Sequence, residues 1–187
     1  MVKKNACIFI SGNGSNLRNL IQKSREYNFP INIKLIVSDN PNAKGIIYAK
    51  KNNIPILIKN CSYKLFEYQI LVSLKKYNIS LICLAGYMKI ISKDFLNLYK
   101  KKIINIHPSL LPKFKGLNTY LRVLREKEKK TGCTVHHVNK HLDGGKIIIK
   151  KTFFIANEDN EKILKEKTQK LEYLAYPEAI IRIFRKY

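Results

Sequence analysis

Short apolar runs alternate with longer amphipathic stretches along the first hundred residues. Residues 6–11, 31–38, 54–58, 81–85 and 103–106 are apolar runs of strand length, rich in Ile, Leu and Val. Between them, residues 16–26, 43–52, 62–77 and 92–100 carry apolar positions at helical spacing. That alternation predicts βαβ units, and so an α/β protein: a Rossmann-like, open, mostly parallel sheet with helices on both faces. The pattern then changes. Residues 119–126 predict a helix, 127–132 a charged surface turn, and 133–138 and 147–154 two more strands. Asn160 can cap a long final helix with Ile163, Leu164, Leu171, Leu174 and Ala175 on its inner side. Pro177 is expected to kink or restart that helix. No repeat, linker or low-complexity tail interrupts the 187 residues, a length that suits one domain.

Composition narrows the class. The chain is 45% apolar and 10% aromatic, as globular proteins are. No apolar run approaches the roughly 20 residues of a membrane span. Met1-Val2-Lys3-Lys4 has the charge of a secretion signal, but the apolar run behind it ends at Ile10, too early for one. A cytoplasmic protein without membrane contact is expected. The cysteines, Cys7, Cys61, Cys83 and Cys133, form no Cys-x-x-Cys pair, so neither a zinc ribbon nor a redox motif is predicted. Cys7, Cys83 and Cys133 lie in apolar runs and read as small buried hydrophobes. A formal net charge of +23 invites a nucleic-acid reading. Yet the basic residues are mostly Lys spread along the whole chain, with no Arg cluster and no interleaved aromatics. A coding bias toward AT-rich codons gives the same picture. Anionic small molecules are the expected partners, and nucleic acid is not.

Three segments can carry chemistry. The first is Asn105-Ile106-His107-Pro108-Ser109-Leu110-Leu111-Pro112. Asn105 and His107 are two apart, so in an extended strand both side chains leave one face. Pro108 keeps His107 extended. An amide donor beside a titratable imidazole suits a reaction that builds charge on an oxygen and moves a proton. A strand end whose Asn and His merely cap a turn would look the same. The second is the loop Ser11-Gly12-Asn13-Gly14-Ser15-Asn16, directly after the first strand. Two glycines and a following helix N-terminus suit a phosphate, with Ser15 and Asn16 as donors or caps. Leu17 stands where a dinucleotide fingerprint has its third glycine, so an ordinary capped turn is the alternative. The third is His141-Leu142-Asp143-Gly144-Gly145. Asp143 could pair with an imidazole, raise its pKa and accept a proton, or sit in a simple Asp-Gly hairpin. His136 and His137 face opposite ways, so at most one can line a site. A metal held by His107, His136 and Asp143 is conceivable, but nothing in the spacing requires one, and none is expected. The run Leu84-Ala85-Gly86-Tyr87-Met88-Lys89-Ile90-Ile91 could grip a flat aromatic ligand by apolar contacts and exposed amides, or could simply lead from strand to helix.

Taken in order, these segments, with Gly132-Cys133-Thr134-Val135-His136, closely resemble the phosphoribosylglycinamide formyltransferase family, the folate-dependent glycinamide ribonucleotide transformylases of purine synthesis. The resemblance covers essentially the whole chain. It implies the formyltransferase fold over residues 1–187, with a nucleotide-binding half of about 1–100 and a folate and catalytic half of about 101–187. It implies catalytic roles for Asn105, His107 and Asp143. Gly12, Asn13, Gly14, Ser15 and Asn16 would hold the ribonucleotide phosphate, and Glu172 its ribose. Met88, Lys89, Ile90, Ile91, Leu142 and Asp143 would hold the pterin of 10-formyltetrahydrofolate, the co-substrate, with no metal. The chemistry implied is direct formyl transfer to the amine of glycinamide ribonucleotide. Asn105 and protonated His107 would stabilise the oxyanion, while Asp143 keeps the imidazolium charged and relays the amine proton. A monomer and a homodimer are equally compatible.

Some positions depart from the family pattern. Lys89 stands where Arg is usual, Lys115 where an aromatic-Pro-Gly loop has its proline, and Asn118 and Tyr120 where histidines are frequent. A looser loop around Lys115 is expected, and the end at Tyr187 is short for the family. Two related enzymes share the catalytic trio. A formyltetrahydrofolate deformylase would need an added N-terminal domain, and a methionyl-tRNA formyltransferase a further C-terminal one. A basic RNA-binding protein would explain the charge without any trio.

Overall fold

In the computed structural model, which describes residues 2–184, the apolar runs become strands and the amphipathic stretches helices. The order is β1 (Lys4–Ile10), α1 (Ser15–Ser24), β2 (Ile31–Ser38), α2 (Ile46–Lys51), β3 (Ile56–Ile58), α3 (Tyr63–Lys76), β4 (Leu81–Leu84), α4 (Lys93–Leu98), β5 (Lys102–His107), α5 (Thr119–Arg125), β6 (Lys130–His137), β7 (Ile147–Phe154) and α6 (Glu161–Phe184). The strands form one seven-stranded sheet in the order β3-β2-β1-β4-β5-β6-β7. β1 pairs in parallel with β2 and β4, and β2 with β3, whereas β6 and β7 are antiparallel. By contact the chain divides into two compact units, Met1–Ile104 and Asn105–Tyr187.

The first unit is built around β1, whose residues from Ala6 to Ile10 are all buried. Burial on both faces is what a central parallel strand requires, and it explains the unbroken apolar run. The chain leaves β1 for β2 on one side and returns to β4 on the other. That reversal is a topological switch point, where ligands of open α/β sheets bind at the strands' carboxyl ends. Ser62 and Ser92 cap α3 and α4 through side-chain oxygens that accept from Leu65 and Phe95 N–H. Cys7 and Cys83 are buried free thiols, as their apolar surroundings predict.

In the second unit α6 packs on β6 and β7, and α5 packs on α6. Phe114, Val123 and Leu164 form a core there. Asn160 caps α6 by accepting the Ile163 N–H. Two corrections fall on this helix. Of the two outcomes expected at Pro177, a restart does not occur: the proline lies inside a continuous α6, and its burial in the packed face offsets its missing N–H. Leu174 is 60% exposed, not inward. Leu164, Thr168, Ala175 and Ala179 define the buried face, and Leu174 lies about 100° round the helix from Ala175. A third correction concerns 127–132: β6 already begins at Lys130, paired with Phe154. Ladder pairing uses backbone groups, so exposed lysines do not prevent it. Among the described residues no helix is long and apolar enough to cross a membrane.

Gly132 shows how tightly β6 and β7 pair. A Cβ there would lie 1.9 Å from the Lys151 carbonyl oxygen. Gly132→Ala is expected to destabilise the chain by at least about 2 kcal/mol, read from chemical denaturation. A change within experimental error would show that the two strands can part at this point without cost.

Candidate active site

β5 ends on the two polar side chains that its period of two places on one face. Asn105 is partly exposed and His107 is buried. Both reach Asp143. His107 Nδ1 lies 3.4 Å from Asp143 Oδ2, and Asn105 Nδ2 lies 3.5 Å from Asp143 Oδ1. The carboxylate also accepts the Gly116 N–H at 2.9 Å. Asp143 is therefore not in a two-residue hairpin turn. It sits in a longer β6–β7 connection closed by the His137 N–H on the Lys146 carbonyl, 2.9 Å apart. Its backbone is left-handed at φ +46°, a conformation that Asp tolerates better than most residues. Gly145 makes the closure possible, since a Cβ there would fall 1.7 Å from the His137 carbonyl oxygen.

The segment after His107 turns back and contacts it. The other imidazole nitrogen, Nε2, lies 2.8 Å from the Phe114 carbonyl oxygen. A carbonyl only accepts, so Nε2 carries a proton and Nδ1, facing the carboxylate, is the nitrogen that titrates. Ser109 Oγ donates to the Lys113 carbonyl at 2.7 Å, and Thr134 Oγ1 donates to the Ser109 carbonyl at 2.6 Å. Thr134 Oγ1 in turn accepts the Leu111 N–H at 3.1 Å. The Leu111–Pro112 peptide is cis. These bonds hold residues 109–113, ahead of Lys115 in the proline position.

His136 joins the group; the sequence offers it only as one of two alternating histidines and in a conceivable metal set, with no catalytic role. Val135 pairs with Ile149 but His136 with Ile147, so Ile148 is an extra residue and the ladder bulges beside the site. His136 Nδ1 lies 2.8 Å from the His137 carbonyl oxygen, and Nε2 lies 3.2 Å from Asn105 Nδ2 and 3.5 Å from Asp143 Oδ1. A neutral His136 accepts from the Asn105 amide, and a protonated one donates to the carboxylate. The sequence signal was the alternation that allowed one of His136 and His137 inward; it did not say which.

Burial lowers the His107 pKa from its ordinary value, more strongly than the Phe114 carbonyl and the Asp143 charge raise it. Asp143 does pull the imidazole pKa upward, as expected, but desolvation outweighs it. Asp143 goes the other way. Burial pushes its pKa up, but hydrogen bonds from His136 and Gly116 N–H and the neighbouring imidazoles hold it below the usual carboxylate value. The pair is thus biased toward a permanent carboxylate beside an imidazole that gives up its proton readily. Among the described residues, no group of three or more His, Cys, Asp or Glu is arranged to hold a metal ion.

Glu172 lies partly buried on α6, where its charge is felt by Tyr120 and Cys133. The Cys133 thiol is pushed up to about 12, first by burial and then by that charge, so it stays protonated. Leu142, beside Asp143, is 56% exposed.

The switch point of the first unit carries the glycine loop. Ser11 N–H donates to the Gly86 carbonyl at 3.2 Å, and Ser11 Oγ accepts the Met88 N–H at 2.9 Å while donating to Asp39 Oδ1 at 2.5 Å. Loops 11–16 and 86–91 are thus tied together at the ends of β1 and β4. Neither Ser15 nor Asn16 caps α1. The N-cap is Gly14, left-handed at φ +70°, with no side-chain cap. A Cβ on Gly14 would meet the Gly45 Cα at 2.6 Å, whereas one on Gly12 would meet nothing within 4 Å. Gly14 is therefore required by backbone packing, and Gly12 lies open. In loop 86–91 the side chains of Met88 and Ile90 are exposed, but Ile91 is buried and the Met88 amide is occupied by Ser11. Only part of the expected apolar grip is available there. Lys89 Nζ lies 5.2 Å from the Tyr63 ring centre.

Comparison with known proteins gives a consistent result. Residues 4–180 match the family model described as Formyl transferase. The chain is 35% identical over 184 residues to the trifunctional purine biosynthetic protein adenosine-3 of Drosophila melanogaster, covering 95% of this chain but only 14% of that protein. It is 39% identical over 178 residues to the phosphoribosylglycinamide formyltransferase of Haemophilus influenzae, covering 93% of this chain and 84% of that one. The crystal structure of phosphoribosylglycinamide formyltransferase from Bacillus halodurans superimposes with a TM-score of 0.92 at 34% identity, over 98% of this chain and 96% of that one. A fold shared over nearly its full length, at these identities and with one continuous family match, means that the chain belongs to the phosphoribosylglycinamide formyltransferase family of formyl transferases.

Proposed function

We propose that the chain transfers the formyl group of 10-formyltetrahydrofolate to the amine of glycinamide ribonucleotide, in purine biosynthesis. The observation that carries this reading is the convergence of the Asn105 amide, the His107 imidazole and the Asp143 carboxylate in one partly buried cluster. When the amine attacks the formyl carbon, negative charge collects on the formyl oxygen. The Asn105 N–H and the His107 Nδ1–H are the donors for that oxygen. The Nδ1 to Asp143 distance of 3.4 Å is longer than a strong charged hydrogen bond, so this proton can be shared with an incoming oxyanion. Asp143, held as a carboxylate, accepts the proton that the amine loses. As the intermediate collapses, the bond from the formyl carbon to the folate nitrogen breaks and that nitrogen takes up a proton, so that tetrahydrofolate leaves. Formate is already activated on the folate, so the step needs no metal.

In the first unit the glycine loop is the phosphate site of this reading, with the open Gly12 as its point of close approach. Met88 and Ile90 of that unit offer exposed apolar side chains, which this reading gives to the pterin. The deciding experiment is a formyl-transfer assay with purified substrates, following both the formylated ribonucleotide and tetrahydrofolate. Release of free formate without formylated ribonucleotide would identify a deformylase and overturn the proposal. Gly12→Val should leave the fold intact and raise KM for the ribonucleotide at least ~10-fold, with KM for the folate nearly unchanged. Equal effects on both substrates would remove the loop from phosphate binding.

A further inference from the structure

The segment 114–117 gives the catalytic pair two backbone partners. Its Phe114 carbonyl meets His107 Nε2 at 2.8 Å, and its Gly116 N–H meets Asp143 Oδ2 at 2.9 Å. The conformation of these few residues therefore sets how imidazole and carboxylate face each other. That conformation is costly to hold. Phe114, Gly116 and Asn118 have φ of +57°, +77° and +55°, and a left-handed backbone costs a residue with a side chain roughly 1–2 kcal/mol. Lys115 adds no stiffness of its own.

The restraint comes from α5. Three consecutive carbonyls accept from it. Arg122 Nη1 donates to the Lys115 carbonyl at 2.6 Å and to the Leu117 carbonyl at 3.5 Å, while Thr119 Oγ1 donates to the Gly116 carbonyl at 3.3 Å. Thr119 and Arg122 are three apart and so share a helix face. The Arg122 guanidinium also lies over the Phe114 ring, 5.5 Å from its centre. One guanidinium thus meets the loop at two carbonyls, both through Nη1, and at one ring.

We infer that Arg122 is a positioning residue that clamps loop 114–117 and thereby keeps the Phe114 carbonyl on His107 and the Gly116 N–H on Asp143. The inference rests on the reading of His107 and Asp143 as the reacting pair. Its test is the variant Arg122→Ala, read by amide hydrogen exchange and by kinetics. The Gly116 N–H should exchange at least ~10-fold faster while amides of β6 and β7 keep their wild-type rates. The value of kcat should fall about 10-fold, with KM for either substrate changing much less. Adding Lys115→Pro, which stiffens the loop covalently, should return Gly116 exchange and most of kcat.

Wild-type Gly116 exchange in Arg122→Ala would overturn the inference. So would acceleration spread over β6 and β7, which marks general destabilisation. A folded double variant that exchanges like the single one would equally overturn it. If the double variant does not fold, the single variant's Gly116 rate decides. Exchange is measured without turnover, so these outcomes are separate from a failure of the wild-type chain to transfer formyl, which would sink the proposed function instead.

Discussion

His107→Ala is expected to lower kcat for formyl transfer by at least about 100-fold, the scale of a lost general acid and oxyanion donor. That factor corresponds to about 2.7 kcal/mol of transition-state stabilisation. The variant should still fold. His107 closes β5 and is buried, so its removal takes a partner from the Phe114 carbonyl. Ser109 Oγ remains near that carbonyl at 3.5 Å, and a cost of about 1–3 kcal/mol in stability is expected. Steady-state kinetics and a thermal melt on the same preparation separate the two effects. Near wild-type turnover in the folded variant would take His107 out of the mechanism.

Asp143→Asn tests the charge while keeping the shape. Asparagine tolerates the left-handed backbone and can still accept the Gly116 N–H through its carbonyl oxygen. What disappears is the negative charge that partly offsets the burial of His107. The imidazole pKa, already below its ordinary value, should drop further. If the protonated ring is the active form, activity is present below that pKa and lost as pH rises through it. The alkaline limb of the variant's pH–rate profile should therefore move to lower pH. The ratio of variant to wild-type rate should rise as pH falls. At pH 7 a loss of roughly 100-fold or more is expected, since the proton acceptor is gone as well. A profile parallel to wild type at every pH would mean that Asp143 does not tune His107.

The periodicity of the chain was enough to read the elements. Strand 147–154 coincides with β7, and Ser62, Ser92 and Asn160 mark helix starts where capping chemistry puts them. The strand start that was misplaced, at Lys130, is a place where a local preference yields to pairing with a distant segment. Leu174 failed because hydrophobicity alone does not show which way a 24-residue helix is turned.

For the site, the sequence by itself determined that Asn105 and His107 share a face, because the period of an extended strand is local. It also determined that Gly12 and Gly14 lie directly after a buried strand. Whether Asp143 joins that pair was open, because an Asp-Gly-Gly run serves a hairpin equally well. Only the tertiary structure decided it, through contacts between residues far apart in the chain. The Gly116 N–H fixes the carboxylate, the Phe114 carbonyl fixes the imidazole tautomer, and the extra residue Ile148 accompanies an inward His136. The two glycines likewise separated only in three dimensions. Gly14 is held by the backbone of Gly45, a neighbour 31 residues away that no local pattern announces, while Gly12 is left open. Burial, too, is a property of the whole fold, and it is burial that lowers the His107 pKa against the pull of the carboxylate beside it.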